Sequence, residues 1–161
     1  MGRFAVFLTA LGVLAPGCAA ERAVDRSVES REDEAQVRRR LEEVFDAAEK
    51  KDLDRLDSYH LYGPRFTKFA ESGSLVRQDA SAAREGEHRG LTATGGLSME
   101  ASDVKVDVFG DVAVATFVLE YGFKAGAEAI HKKSRGTLVF VRDSSGWRIV
   151  HEHFSSPPAT P

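Results

Sequence analysis

Arg135-Gly136-Thr137-Leu138-Val139-Phe140-Val141-Arg142-Asp143, then Ser144-Ser145-Gly146, then Trp147-Arg148-Ile149-Val150-His151-Glu152-His153-Phe154-Ser155 reads as two strands and a turn. Both runs are rich in β-branched and aromatic residues, and the polar connection ends in glycine. A three-residue loop with Gly146 in the left-handed conformation pairs Asp143 with Trp147. Val139 then meets His151, Thr137 meets His153 and Arg135 meets Ser155. All these side chains share one face of the hairpin, with Val141 and Ile149 continuing it as an apolar wall, while Glu152 points to the other face.

Upstream of this hairpin the same period of two continues from Leu97. Val104, Val106 and Val108 alternate with Asp103, Lys105 and Asp107, and Gly110-Asp111 reverses the chain into a strand over 112–123. That strand is apolar on both faces, Val112, Val114 and Val118 against Ala113, Ala115, Phe117 and Leu119, so both sides of the sheet need cover. A third long strand is expected from about Ile130 to Asp143. Earlier still the period changes to that of a helix. Val37, Leu41, Val44, Phe45 and Ala48 fall on one face of a helix over 33–50, and Arg38, Arg39, Arg40, Glu42 and Glu43 cover the other. Asp52 can cap a second, shorter helix carrying Leu53 and Leu56, ending near Tyr59 and closed by Gly63-Pro64. Residues 65–70 suggest a short strand. The glycine-rich stretch 71–96 gives only a helical turn around 78–85. Helices followed by a long antiparallel meander make an α+β fold, the helices packed on one face of a strongly curved antiparallel sheet. A Pro-rich tail, 157–161, ends it.

The amino-terminal end reads as a targeting segment. Residues 1–17 hold one cation, Arg3, and an apolar run from Phe4 to Ala15, too short for the roughly 20 residues of a membrane-spanning helix. The single cysteine follows in Leu14-Ala15-Pro16-Gly17-Cys18, which resembles the lipobox of bacterial lipoproteins and implies a lipid on Cys18. Ala15 stands where leucine is usual, and cleavage after Ala20 is the alternative. Residues 18–32 are charged and small and read as a tether, leaving 33–156 as the domain. The expected location is the cell envelope, periplasmic or anchored by that lipid, with no other membrane contact.

The composition is 42% hydrophobic and 29% charged, with a formal charge of −3. A real core is expected, and no basic face calls for nucleic acid. One cysteine excludes an internal disulfide and a cysteine-based zinc site.

Together with the leading helix and the Gly110-Asp111-Val112-Ala113-Val114 hairpin, the terminal strand pair over 135–155 resembles the nuclear transport factor 2-like superfamily. Its SnoaL-like and calmodulin-dependent kinase association-domain branch is the most similar, over about residues 33–156. The resemblance implies a cone: a bent sheet wraps the long helix and leaves a pocket at its open end, and many members dimerise through the outer face of the sheet. It fixes no single activity.

Two functions from different classes follow. The first is a non-catalytic, homodimeric pocket domain that binds a small organic molecule, anionic or carbonyl-bearing, or a partner in the envelope. The second is an isomerase-, cyclase- or hydratase-type enzyme using a pocket histidine, His151 or His153, with Arg135. The expected ligand-binding set is Arg135, His151, His153, Thr137 and Ser155, with Tyr121 offering a hydroxyl. Arg135 would anchor a carboxylate through two parallel hydrogen bonds, and the imidazoles would titrate near neutral pH. The plain alternative is that both histidines are structural or belong to a dimer surface. Two imidazoles supply only two of the three protein ligands a catalytic zinc needs, so no metal and no cofactor is expected. If the opposite face lines the cavity, with Leu138, Phe140, Val150, Glu152 and Phe154, Glu152 becomes the candidate base.

Overall fold

The computed structural model describes residues 17–71 and 75–157, with side chains from Ser30 onward. In chain order the elements are α1 (Gly17–Lys50), α2 (Leu53–Ser58), β1 (Thr67–Phe69), α3 (Ala80–Ala93), β2 (Gly95–Phe109), β3 (Val112–Ala125), β4 (Glu128–Asp143) and β5 (Gly146–Ser155). They build an α+β fold with one five-stranded sheet in the order β1-β5-β4-β3-β2. The meander β2 to β5 is antiparallel, and the short edge strand β1 runs parallel to β5.

The apolar stripe of α1 behaves as its spacing dictates. Val37, Leu41, Val44, Phe45 and Ala48 are all buried against the inner face of the sheet. There they meet Ala113, Ala115, Phe117, Leu119, Leu138 and Phe140. The Phe45 ring packs edge-on to Phe117 at 5.6 Å between centroids. Among the described residues helix α1 runs from Gly17 and not from near 33, so the stretch expected to be a tether is helical. Most of the leader lies outside the described residues, and so does the Cys18 side chain. Among the described residues no helix is long and apolar enough to cross a membrane.

Two sequence expectations change in detail. Residues 71–96 hold more than a helical turn: Asp79 accepts a hydrogen bond from the Ala82 amide and caps a helix of 14 residues, α3. Glycines at 86 and 90 disguise it, since each weakens a helix by roughly 1 kcal/mol relative to alanine. The β4–β5 turn is one residue shorter than expected, pairing Asp143 with Gly146, and a bulge at Val150 restores the register. The two shifts cancel, and Val139–His151, Thr137–His153 and Arg135–Ser155 pair as expected. This bulge, and another in β2 where Asp103 takes a φ of 50°, bend the strands and help curl the sheet around α1.

Candidate functional site

The curled sheet, α1 and α3 line an open-mouthed cavity of about 320 Å³. Its walls are mostly apolar, with Phe45, Leu91, Met99, Leu119, Leu138 and Phe154 among them. This cavity lies on the face opposite to the expected one. Arg135, Thr137, His151, His153 and Ser155 do share a face, but none of them lines the cavity, whereas Leu138, Glu152 and Phe154 do. The hydrophobic effect decides the outcome: the neighbours of Glu152 on its face are more apolar than the polar set on the other, so that face turns inward. Phe140 is buried in the core, and Val150 is the bulged residue that alternation alone would have misplaced.

The five outer residues have plain surroundings. Arg135 and His153 are exposed. Nδ1 of His151 lies 2.8 Å from the Thr67 hydroxyl, and Phe69 stands edge-on to both imidazoles. Partial burial and the neighbouring His153 lower the His151 pKa. Of the expected set only Tyr121 lines the cavity.

The cavity's charged end is assembled from four elements. Glu152 projects inward from β5 and Lys68 from β1, while Glu87 comes from α3 and His60 from the turn after α2. His60 is held in place by a short parallel bridge, in which Leu61 N–H donates to Ile149 C=O and Ile149 N–H to Tyr59 C=O. On β1 buried Lys68 alternates with the partly exposed Thr67 and Phe69, two residues after buried Phe66, so a cation is carried on an inward face. Glu87 lies four residues from Ala83 and four from Leu91, on the inward stripe of α3.

The protons in this cluster follow from its geometry. His60 Nδ1 is 2.8 Å from the Leu56 carbonyl, which can only accept, so Nδ1 carries a hydrogen. Its Nε2 is 2.9 Å from Glu152 Oε1, a second acceptor. A proton therefore lies between them. Burial opposes charge on His60, but the Glu152 carboxylate outweighs it and raises the His60 pKa. For Glu152, burial likewise opposes ionisation, yet Lys68 and His60 hold its pKa well below the usual carboxylate range. The pair is imidazolium and carboxylate.

Lys68 Nζ sits 2.6 Å from Glu152 Oε2 and also pairs with Glu87 Oε1. Its pKa is raised, since the two carboxylates outweigh burial. The Oε2 contact is an ion pair without hydrogen-bond alignment, so Oε2 is buried with no hydrogen bond among the described residues. Glu87 Oε2 accepts a hydrogen bond of 2.8 Å from Tyr62. Burial first, and then the charge of Glu152, push the Glu87 pKa up. Two carboxylates on one ammonium are thus driven in opposite directions, one fixed as an anion and the other eased towards taking a proton.

His60, Glu87 and Glu152 place one ligand atom each within 4.8 Å of one another, a spacing that a divalent ion could bridge. Lys68 already supplies positive charge to both carboxylates, so an ion would have to compete with a buried ammonium. A cation built into the chain fits the arrangement better.

Sequence reasoning missed His60, Lys68 and Glu87, because three separate segments bring them in. The available signal was Glu152 itself: a lone acid on an apolar alternation calls for a buried cationic partner.

The family model described as the SnoaL-like domain matches residues 37–160. Solved structures resemble the whole domain. A candidate dehydratase of the nuclear transport factor 2-like family from Streptomyces avermitilis is 19% identical, with a TM-score of 0.74, covering 81% of this chain and 99% of its own. A nuclear transport factor 2-like superfamily protein from Salmonella enterica is also 19% identical, with a TM-score of 0.72 over 81% of this chain and 95% of its own. The association domain of the C. elegans calcium/calmodulin-dependent kinase II reaches a TM-score of 0.65 at 18% identity, over 80% of this chain and 98% of that one. At these identities the likeness shows the fold alone. No curated protein matches the chain. With the family model covering most of the chain and the cone observed, the chain belongs to the SnoaL-like domain family.

Proposed function

We propose that the chain is a proton-transfer enzyme of isomerase or dehydratase type, acting on a small, mostly apolar molecule that carries a carbonyl group. The observation behind it is the buried ammonium of Lys68, shared by Glu87 and Glu152 on the wall of an apolar cavity. An ammonium has three N–H donors. One goes to Glu87, while Glu152 engages the ammonium as an ion pair, which leaves donor capacity for a carbonyl oxygen. Glu87 then takes the proton from the adjacent carbon, leaving an enolate whose oxygen Lys68 stabilises. Returning that proton to a different carbon isomerises the molecule. Returning it to a departing β-hydroxyl releases water. Glu152 and His60 act as positioning residues: the ionised Glu152 holds both cations, and both N–H groups of His60 are already engaged.

The test is deuterium incorporation next to the carbonyl of α-tetralone in heavy water, followed by proton NMR, with binding measured separately by saturation transfer. Wild-type protein should bind and exchange. Glu87→Gln should bind with exchange lost. Binding with no exchange in the wild type would overturn the enzyme reading and leave a non-catalytic pocket domain.

Association into a homodimer and export are further proposals. Val112, Val114 and Val118 stand on the outer face of a central strand and keep part of their surface exposed in the single chain. A second copy laid against this face would cover them. The apolar run ending at Cys18 supports export with a lipid on that residue.

A further inference from the structure

A second polar group lines the same cavity, away from the charged cluster. Glu71, just beyond β1, accepts hydrogen bonds from the Tyr121 hydroxyl and, at 2.6 Å, from the Ser156 hydroxyl. Glu71 and Tyr121 both line the cavity. Among the described residues Glu71 enters no ion pair, unlike Glu87 and Glu152.

This carboxylate is held but not neutralised. A carboxylate offers about four lone-pair sites, and the two hydroxyls occupy only part of them. Both hydroxyls donate, so each adds fixed positive edge to the site without cancelling its charge. Burial and the Glu71 charge raise the Tyr121 pKa, which keeps the phenol a donor.

The spacing of the two polar points can be read along β5. Glu152 and Phe154 share one face of β5 and Ser156 follows just past its end, so the residue that holds Lys68 and the residue that holds Glu71 are four positions apart. Four extended residues reach at most about 13 Å. Phe154 lies between them on the cavity wall, with Lys68 5.8 Å from its ring.

We propose that Glu71, fixed by Tyr121 and Ser156, is a second recognition point and that the ligand is two-headed. It carries a carbonyl for Lys68, a flat apolar body against Phe154, and a hydrogen-bond donor, hydroxyl or ammonium, for Glu71. A carboxylate at that end is rejected by like charge. It rests on the carbonyl-at-Lys68 reading above.

The experiment compares α-tetralone with derivatives bearing a hydroxyl, an aminomethyl or a carboxylate group on the ring carbon most distant from the carbonyl. Binding is measured by saturation-transfer NMR, and exchange in heavy water on the same samples. A hydrogen bond to a charged group predicts that the hydroxyl derivative binds about tenfold or more tightly than the parent. The aminomethyl derivative should bind at least as well, and the carboxylate more weakly than the parent. Glu71→Gln should erase the aminomethyl advantage, and Tyr121→Phe should reduce the preference while the far-ultraviolet circular dichroism stays unchanged. Equal binding of all four derivatives, or a preference unaltered in Glu71→Gln, overturns this inference even if exchange is seen. Donor preference with no exchange supports it and overturns the enzyme reading alone. Failure of every derivative to bind overturns both.

Discussion

Replacing Glu152 by glutamine removes the one charge that holds two buried cations. The side chain of Glu152 is 4% exposed, with His60 at 2.9 Å and Lys68 at 2.6 Å. Breaking a buried ion pair by removing one partner costs about 3–5 kcal/mol. Lys68 keeps Glu87, which limits its share, while His60 keeps only a neutral partner and the Leu56 carbonyl. The loss must therefore depend on pH. The His60 pKa is raised in the folded wild type, so its contribution is complete below its ordinary value of 6.5 and fades as pH rises through the folded value. The Glu152 pKa is lowered, so its contribution is complete above 4.5 and fades in acid. Between those values both are at full strength. Urea unfolding, followed through the single buried tryptophan Trp147, is the assay. We expect Glu152→Gln to lose about 3–5 kcal/mol near pH 5.5, and on the order of 1 kcal/mol less near pH 8.5, where His60 is free to be neutral. A domain of this size is stable by about 5–15 kcal/mol, so the variant should still fold. A loss below about 1 kcal/mol, or one that grows with pH, would refute the imidazolium–carboxylate assignment.

Other expectations are independent of this cluster. A methyl group on Gly136 would sit 2.3 Å from the Phe117 ring in the core, so Gly136→Ala should destabilise by about 1–3 kcal/mol; an unchanged melting temperature would show that Phe117 moves freely. If two copies join through the outer face, light scattering of residues 21–161 at micromolar concentration gives a dimer mass and Val118→Lys gives a monomer; a wild-type monomer sinks the interface. Mass spectrometry of the membrane fraction should find a lipid on Cys18, whereas a mature protein beginning at Glu21 would leave export standing without lipidation.

The parts of the fold that were legible in the sequence are those with a clean period. The stripe from Val37 to Ala48 and the alternation through β3, β4 and β5 each depend on local spacing, and each found its partner across the core. Glycine-bearing α3 was hidden because its inward stripe, Ala80, Ala83, Glu87, Gly90 and Leu91, is too weakly apolar to announce a helix. For the site, the pairing of His151 with Val139 was readable, but pairing does not say which face turns inward. The histidines drew attention because they titrate near neutral pH, although the residue between them, Glu152, was the unusual one for its face. Its partners His60 and Lys68 come from segments more than 80 positions away in the chain, and only the closed cone brings them together.

If chemistry belongs to the inner face, at Lys68 and Glu87, and not to the outer histidines, a small ketone must bind there. A crystal structure of the chain soaked with α-tetralone decides between the two faces. The ketone should lie inside the cavity, its ring against Phe154 and its oxygen within hydrogen-bond distance of Lys68 Nζ. A ketone seated on the outer face at His151 and His153, with the cavity empty, would contradict it.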